Sequence, residues 1–402
     1  MNKKIFFSGS MALLAFILIL SFSCANAAQG KEELVIGGIY PLSGPAAPWG
    51  IQWSGGLEDA ANDVNQAGGL KVGDKIFRIK VITKDDGYQG PKAVTEVNDL
   101  IHVSKVKYIM GPIGSVPALA IRPICEANKV LLLAGAGASD QLVAPAYPYT
   151  YRMYTYDPIR AGAFYDYLLK EKPGMKNTVL INPDDATGRR HSLRAKPIIE
   201  EKGFKILIDE YYARGTTDFY PLISRINRLK PEIVDTCGTP PGELGLLLKQ
   251  IREMGYKGVV MATTGTIMPA VIIKIAGKQA AQGLLESDLD YGSAVCPPKL
   301  KQYYDRVIAS HGAEHWAIGR AWVYDAARVL FQTFQFVGST DVDKVRDALD
   351  SGKVKYEGVL GPFELGGMKT FGIKHNFITP QGVSEVIGDT HVTRAWVRPI
   401  VP

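Results

Sequence analysis

The stretch LVIGGIYPLSGPAAPWG, residues 34–50, decides how the rest of the chain is read. Leu34, Val35, Ile36 and Ile39 make a short apolar run, the pattern of a parallel strand buried on both faces. Pro41, Ser43, Gly44, Pro45 and Pro48 then break the run into a loop. Ile51, Leu57, Ala61 and Val64 recur at roughly helical spacing, which predicts a helix over 51–64. Strand, Gly/Pro loop, helix is the unit that puts a ligand at the carboxyl end of a strand and the start of a helix. Trp49 is expected inside that loop, where an apolar ring makes sense as a lid or wall.

Working outward, the chain has 402 residues, too many for one core, so two lobes are expected. Hydrophobic content of 46% with 21% charged residues suits a soluble globular protein. The net charge is +6, but Lys3 and Lys4 belong to an export leader; without them 44 basic residues face 40 acidic ones. That small excess is spread along the chain and excludes a nucleic-acid surface. The leader, 1–27, has a basic start, an apolar stretch at 11–20 and a small-residue cleavage site at Ala25-Asn26-Ala27. Cys24 offers the alternative of a lipid anchor, but Ser21-Phe22-Ser23 before it lacks the aliphatic residue expected three places upstream. The mature protein is therefore expected in the periplasm, with no membrane span of its own. Cys125, Cys237 and Cys296 remain after cleavage; their odd number leaves at least one thiol unpaired, and their spacing fits neither zinc nor a redox motif.

Beyond residue 50 the pattern of the opening stretch recurs. Strands are predicted at 81–83, 108–110 and 130–133, helices at 93–103 and 118–127. After a tyrosine-rich passage at 147–156, Asp157-Pro158 is expected to start a helix with Asp157 as its cap. Strands at 178–181, 204–208, 233–235 and 259–261 then alternate with helices at 190–201, 219–229 and 243–254. This alternation predicts two α/β lobes, each with a parallel sheet. From about residue 283 the chain is expected to cross back, with helices at 316–337 and 342–349 and strand pieces over 371–398.

Two turns carry anion-binding chemistry: Gly111-Pro112-Ile113-Gly114-Ser115 and the run Ala134 to Ser139. Small residues let backbone N–H groups approach an anion, and the following helix favours negative charge. Ordinary tight turns are the bland alternative. Gly135-x-Gly137 lacks the third glycine of a dinucleotide fingerprint, since Asp140 stands there. His311-Gly312-Ala313-Glu314-His315 matches the metal-binding pattern H-x-x-E-H, although Gly312 weakens the helix it needs. An exported metal-dependent hydrolase using His311, Glu314 and His315 is thus the alternative to a binding protein. No cofactor is called for.

The leader, I-G-x-I-Y-P-L-S-G-P-A-A-P-W-G at 36–50, N-x-A-G-G at 65–69, D-D-G-Y at 85–88, G-P-I-G-S at 111–115, Y-R at 151–152 and G-T-T-D-F at 215–219 together resemble the leucine/isoleucine/valine-binding protein family of periplasmic solute receptors for ABC importers. The resemblance implies a type I periplasmic binding fold, a Venus flytrap of two Rossmann-like lobes joined by three crossing segments. Lobe I is expected at 28–154 plus 284–362, lobe II at 155–283 plus 363–402. It further implies a monomer without catalysis that passes its ligand to ABC permease subunits; a ligand-sensing receptor for a signalling partner shares the fold. Carried over residue by residue, Trp49 is the lid, Ser115 binds the ligand carboxylate, and Gly137, Ala138 and Ser139 supply backbone and hydroxyl contacts. Thr187, Thr239 and Thr264 form the second-lobe wall, with Tyr88, Tyr154 and Met268 as secondary candidates. Amino-acid binders of the family carry an aromatic residue where Thr187 stands and an acid where Thr264 stands. A buried ammonium without a counter-charge is costly. The expected ligand is therefore a carboxylate without an ammonium, an aromatic or branched acid, unless Asp157, Asp184 or Asp185 substitutes.

Overall fold

Strand alternation in the computed structural model, which describes residues 32–135, 137–263 and 268–402, shows why two sheets form. In the strand Leu131–Gly135, Leu131 and Leu133 enter one core while Leu132 and Ala134 enter another. In Asn177–Pro183, Val179 and Ile181 lie on one side and Leu180 on the other. Successive side chains of a strand point to opposite faces, so an uninterrupted apolar run requires cover on both. Helices supply that cover in each lobe.

The first sheet runs Leu365–Gly366, Asn376–Phe377, Thr150–Arg152, Leu131–Gly135, Tyr108–Ile113, Glu32–Tyr40, Lys75–Asp85, Leu70–Val72. The second runs Thr390–Val397, Gln381–Ile387, Leu285–Glu286, Val259–Met261, Ile233–Thr236, Asn177–Pro183, Lys205–Tyr212. The central pairings are parallel in both; antiparallel strands close both edges of the first sheet and one edge of the second, whose other edge strand, Lys205–Tyr212, is parallel. The architecture is the expected pair of α/β lobes. Among the described residues the chain passes from one sheet to the other three times. Sheet membership departs from the expected lobe limits at two crossings. Leu285–Glu286 belongs to the second sheet, and Leu365–Gly366 and Asn376–Phe377 belong to the first. Two-residue strands carry no periodicity, so sequence pattern cannot assign them.

The helix after the opening loop is longer than its apolar spacing predicted. It spans Ala47–Gln66, with Pro48 in its first turn, where a missing N–H costs nothing. Trp49 therefore stands on a helical turn rather than in a loop. The expected leader, Cys24 and Thr264 lie outside the described residues. Cys125, Cys237 and Cys296 are all buried. Among the described residues no helix is long and apolar enough to cross a membrane.

Candidate functional site

The carboxyl ends of strands from both sheets face one cleft. Its first-lobe side is rings and small residues: Trp49, Trp53, Tyr88, Gly114, Gly135, Gly137, Ala138 and Tyr154. Its second-lobe side is Asp157, Thr187 and Gly238. About 370 Å³ lies between them. A larger groove of about 1060 Å³ crosses the outer face of the second lobe between Ile159, Tyr167 and Ile400, but it receives strand ends from only one sheet.

The motif Asp85-Asp86-Gly87-Tyr88 builds one corner. Asp85 accepts from the N–H groups of Leu42 (2.7 Å) and Gly87 (2.9 Å), from Ser43 Oγ (2.8 Å) and from Lys92 Nζ (2.6 Å), so it pins the S-G-P loop to the neighbouring strand. Burial alone would raise its pKa, but these donors outweigh burial and hold it well below the usual range. Asp86 accepts from the Tyr88 N–H at 2.7 Å and holds Tyr88 at φ 62°, a left-handed conformation rare for a bulky residue. Burial pushes the Asp86 carboxyl up to about 7.

Thr187 bridges the two lobes. Its Oγ1 lies 2.9 Å from Tyr88 Oη and accepts from the Ser115 N–H at 3.2 Å. The Ser115 side chain is fully buried and its Oγ has no hydrogen-bond partner. Thr187 is fixed from behind by Asp185, whose Oδ1 accepts from the N–H groups of Thr187 (2.8 Å) and Gly188 (3.1 Å) and caps the helix Ala186–Glu201. The other Asp185 oxygen accepts from Arg214 Nε. Arg214 lies over the Tyr88 ring, 4.3 Å from its centroid, and donates to Tyr88 Oη at 3.2 Å. Its Nη1 is buried without a hydrogen-bond partner.

Asp157 does not cap its helix, contrary to expectation: the helix Asp157–Glu171 starts at Asp157 itself, and no side chain caps it. Its carboxylate instead accepts from Arg160 Nη1 at 3.0 Å and from Tyr154 Oη at 3.3 Å. Burial raises its pKa and the two arginines, Arg160 and Arg152, oppose the rise. Arg160 also donates to Gln381 Oε1 (2.6 Å) and Ser287 Oγ (2.8 Å). One guanidinium thus holds all three crossing segments. Tyr154 stacks on Trp322 at 4.6 Å between centroids, and Trp53 meets both rings edge-on. Gly137 sits so close to this group that a Cβ there would lie 2.1 Å from Tyr154 Oη and 2.3 Å from Asp157 Oδ2.

Of the residues expected at the site, Trp49, Gly137, Ala138 and Thr187 line the cleft, and Ser115 backs it through its N–H. Ser139 turns away: its Oγ accepts from the N–H of Gln141 at 3.1 Å in its own loop. Thr239 lies behind Gly238 and accepts from Tyr212 Oη at 3.1 Å. Thr264 is outside the described residues. Tyr88 and Tyr154 line the cleft, whereas Met268 is buried at the start of the helix Pro269–Ala276. Sequence reasoning passed over Trp53, Arg160 and Arg214, although Arg214 stands immediately before the G-T-T-D-F motif. The pattern H-x-x-E-H does not form one helical face: the helix Pro298–His311 ends at its first histidine, and Gly312 turns away at φ 87°.

The Periplasmic binding protein family model matches residues 33–380. The leucine-, isoleucine-, valine-, threonine- and alanine-binding protein of Pseudomonas aeruginosa is 25% identical over 369 residues, 89% of this chain and 93% of that protein. The branched-chain amino acid transporter substrate-binding protein of Streptococcus pneumoniae, solved with isoleucine, superposes with a TM-score of 0.76 at 20% identity, covering 92% of this chain and 100% of that one. An ABC transporter solute-binding protein of R. palustris, solved with benzoate, gives 0.75 at 20% identity, covering 92% and 97%.

Proposed function

The chain belongs to the periplasmic binding protein family, and we propose that it is the solute receptor of an ABC importer, closing on a small carboxylate-bearing ligand and delivering it to a membrane permease. The observation that carries this reading is the convergence at Thr187. The Ser115 N–H and Tyr88 Oη of the first lobe meet a single hydroxyl oxygen of the second, beside the buried, unpartnered Ser115 Oγ. A ligand carboxylate in that place would accept the same donors and join the lobes through itself. Such charge-assisted bonds contribute about 1.5–3 kcal/mol each. The rims leave too little free space for a ligand, so a ligand enters as the rims part.

The rim favours an acid without an ammonium group. Asp185 is committed to the Thr187 and Gly188 N–H groups and to Arg214, and Asp157 to Arg160 and Tyr154. Neither offers an uncompensated charge. Trp49, Trp53, Tyr88 and Tyr154 supply ring faces and edges for an apolar body. The relatives bind both chemistries, one solved with isoleucine and one with benzoate. Calorimetric titration with benzoate, isovalerate, leucine and valine tests the reading. Binding of an acid is expected, weakened by Trp49→Ala and Ser115→Ala. Tight leucine binding that disappears in Asp157→Asn would reverse the assignment in favour of an amino acid.

A further inference from the structure

At the second crossing three buried ionisable groups that the cleft does not use come together, two from the crossing and one from an edge strand of the second sheet. Glu286 ends the strand Leu285–Glu286, Asp288 follows two residues on, and His391 lies on the strand Thr390–Val397. One ligating atom from each lies within 4.8 Å of the others. Glu286 is 0% exposed, Asp288 1% and His391 9%. We propose that Glu286, Asp288 and His391 form a site for a divalent transition-metal ion of the zinc class, set in the hinge between the lobes.

The histidine is arranged as a ligand. Its Nε2 lies 2.6 Å from the Leu289 carbonyl oxygen, which can only accept, so Nε2 carries the proton. In the neutral ring that leaves a lone pair on Nδ1, which lies 2.8 Å from Glu286 Oε1. Fixing the ligand tautomer through a backbone carbonyl is how metal-bound histidines are oriented. Both Glu286 oxygens are buried, and Oε1 faces His391 Nδ1 at 2.8 Å, an ion pair when the ring is protonated and two converging donor atoms when it is neutral. Asp288 Oδ1 is held in place by the Leu289 N–H at 2.8 Å and by Tyr291 Oη. Two carboxylates and one imidazole offer a single nitrogen and several oxygens to a dication, which compensates both buried negative charges at once. The 11% exposure of the His391 side chain gives an entry path. Ser287, between the two acids, accepts from Arg160, so the ion would brace the same crossing that Arg160 ties to the cleft.

The test uses untagged mature protein, stripped with chelator and then equilibrated with Zn²⁺ or Co²⁺. One equivalent of metal per chain is expected, with visible Co²⁺ d–d absorption and a rise in melting temperature on loading. His391→Gln and Glu286→Gln should each weaken binding by at least about 100-fold, beyond what losing an outer-shell partner costs. The double variant His311→Ala/His315→Ala should keep its equivalent. Wild-type protein that takes up less than one equivalent overturns the proposal whatever the variants do. So does a full equivalent retained in His391→Gln, or one lost with the surface histidines; the three groups would then be sharing protons rather than a metal.

Discussion

The two rims of the cleft are made by opposite means. The first-lobe rim is shaped by what its residues lack: at Gly114, Gly135 and Gly137 an added Cβ would strike Tyr88, Trp53 and Tyr154. The second-lobe rim is shaped by what its residues are tied to. Thr187 depends on Asp185, Asp185 on Arg214, and Asp157 on Arg160. The first rim is thus vulnerable to added volume and the second to lost partners, and substitutions on each side can break that distinction.

The largest effect is expected at Arg160. Arg160→Leu leaves Asp157 buried without its counter-charge and releases Ser287 and Gln381 on the other two crossings. Removing one partner of a buried pair costs about 3–5 kcal/mol. Urea denaturation should show that loss, and Asp157→Asn in the same background should recover part of it. An unchanged midpoint would mean that the three crossings do not rely on this guanidinium.

Gly137→Ala probes the other rim. The added methyl pushes on Tyr154 and Asp157, an overpacking that costs about 1–3 kcal/mol. The cost should appear mainly in ligand affinity, because the displaced groups line the cleft. Equal losses in affinity and in unfolding free energy would show that Gly137 shapes the core rather than the rim.

This contrast also explains what could be read from the chain alone. Glycine-rich strand ends and apolar runs are local, so the two sheets, the helices and the first-lobe turns at Gly114 and Gly137 are legible. Trp49 was legible as a cleft residue but not as a helical one, because Pro48 reads as a loop breaker and equally as a first-turn residue. The second-lobe rim depends on pairs far apart in sequence: Asp185 with Arg214, Arg160 with Ser287 and Gln381, Thr239 with Tyr212. No spacing rule announces such pairs. Asp157 illustrates the failure well, since Asp-Pro is a good cap signal and the carboxylate is drawn off by Arg160.

Acid should separate the lobes' buried carboxylates from ordinary ones. Asp235 accepts from Thr263 Oγ1 (2.7 Å) and Tyr165 Oη (2.9 Å), and burial pushes it up to about 7 despite them. An unfolded aspartate titrates near 3.9. Between these values the folded state holds a proton that the unfolded state has released, so the Asp235 contribution grows as pH falls from 7 to 4. The slope is up to about 1.4 kcal/mol per pH unit for one proton. Asp235→Asn should flatten the stability profile across that window. A profile as steep as the wild type's would place the proton elsewhere, with Asp86 the first candidate.

The smallest effect is expected at Thr187, and it bears most directly on how the rims meet. Thr187→Val keeps the shape of the side chain but removes the oxygen shared by Tyr88 Oη and the Ser115 N–H. At about 0.5 kcal/mol net for each of the two hydrogen bonds lost, closure without ligand should weaken about fivefold. Small-angle scattering of the ligand-free protein should then show a larger radius of gyration. With ligand the outcome divides two mechanisms. If a carboxylate takes the Ser115 N–H, the threonine hydroxyl must leave as ligand enters, and the variant loses less affinity than closure. If the hydroxyl stays and contacts the ligand itself, affinity falls at least as far as closure does.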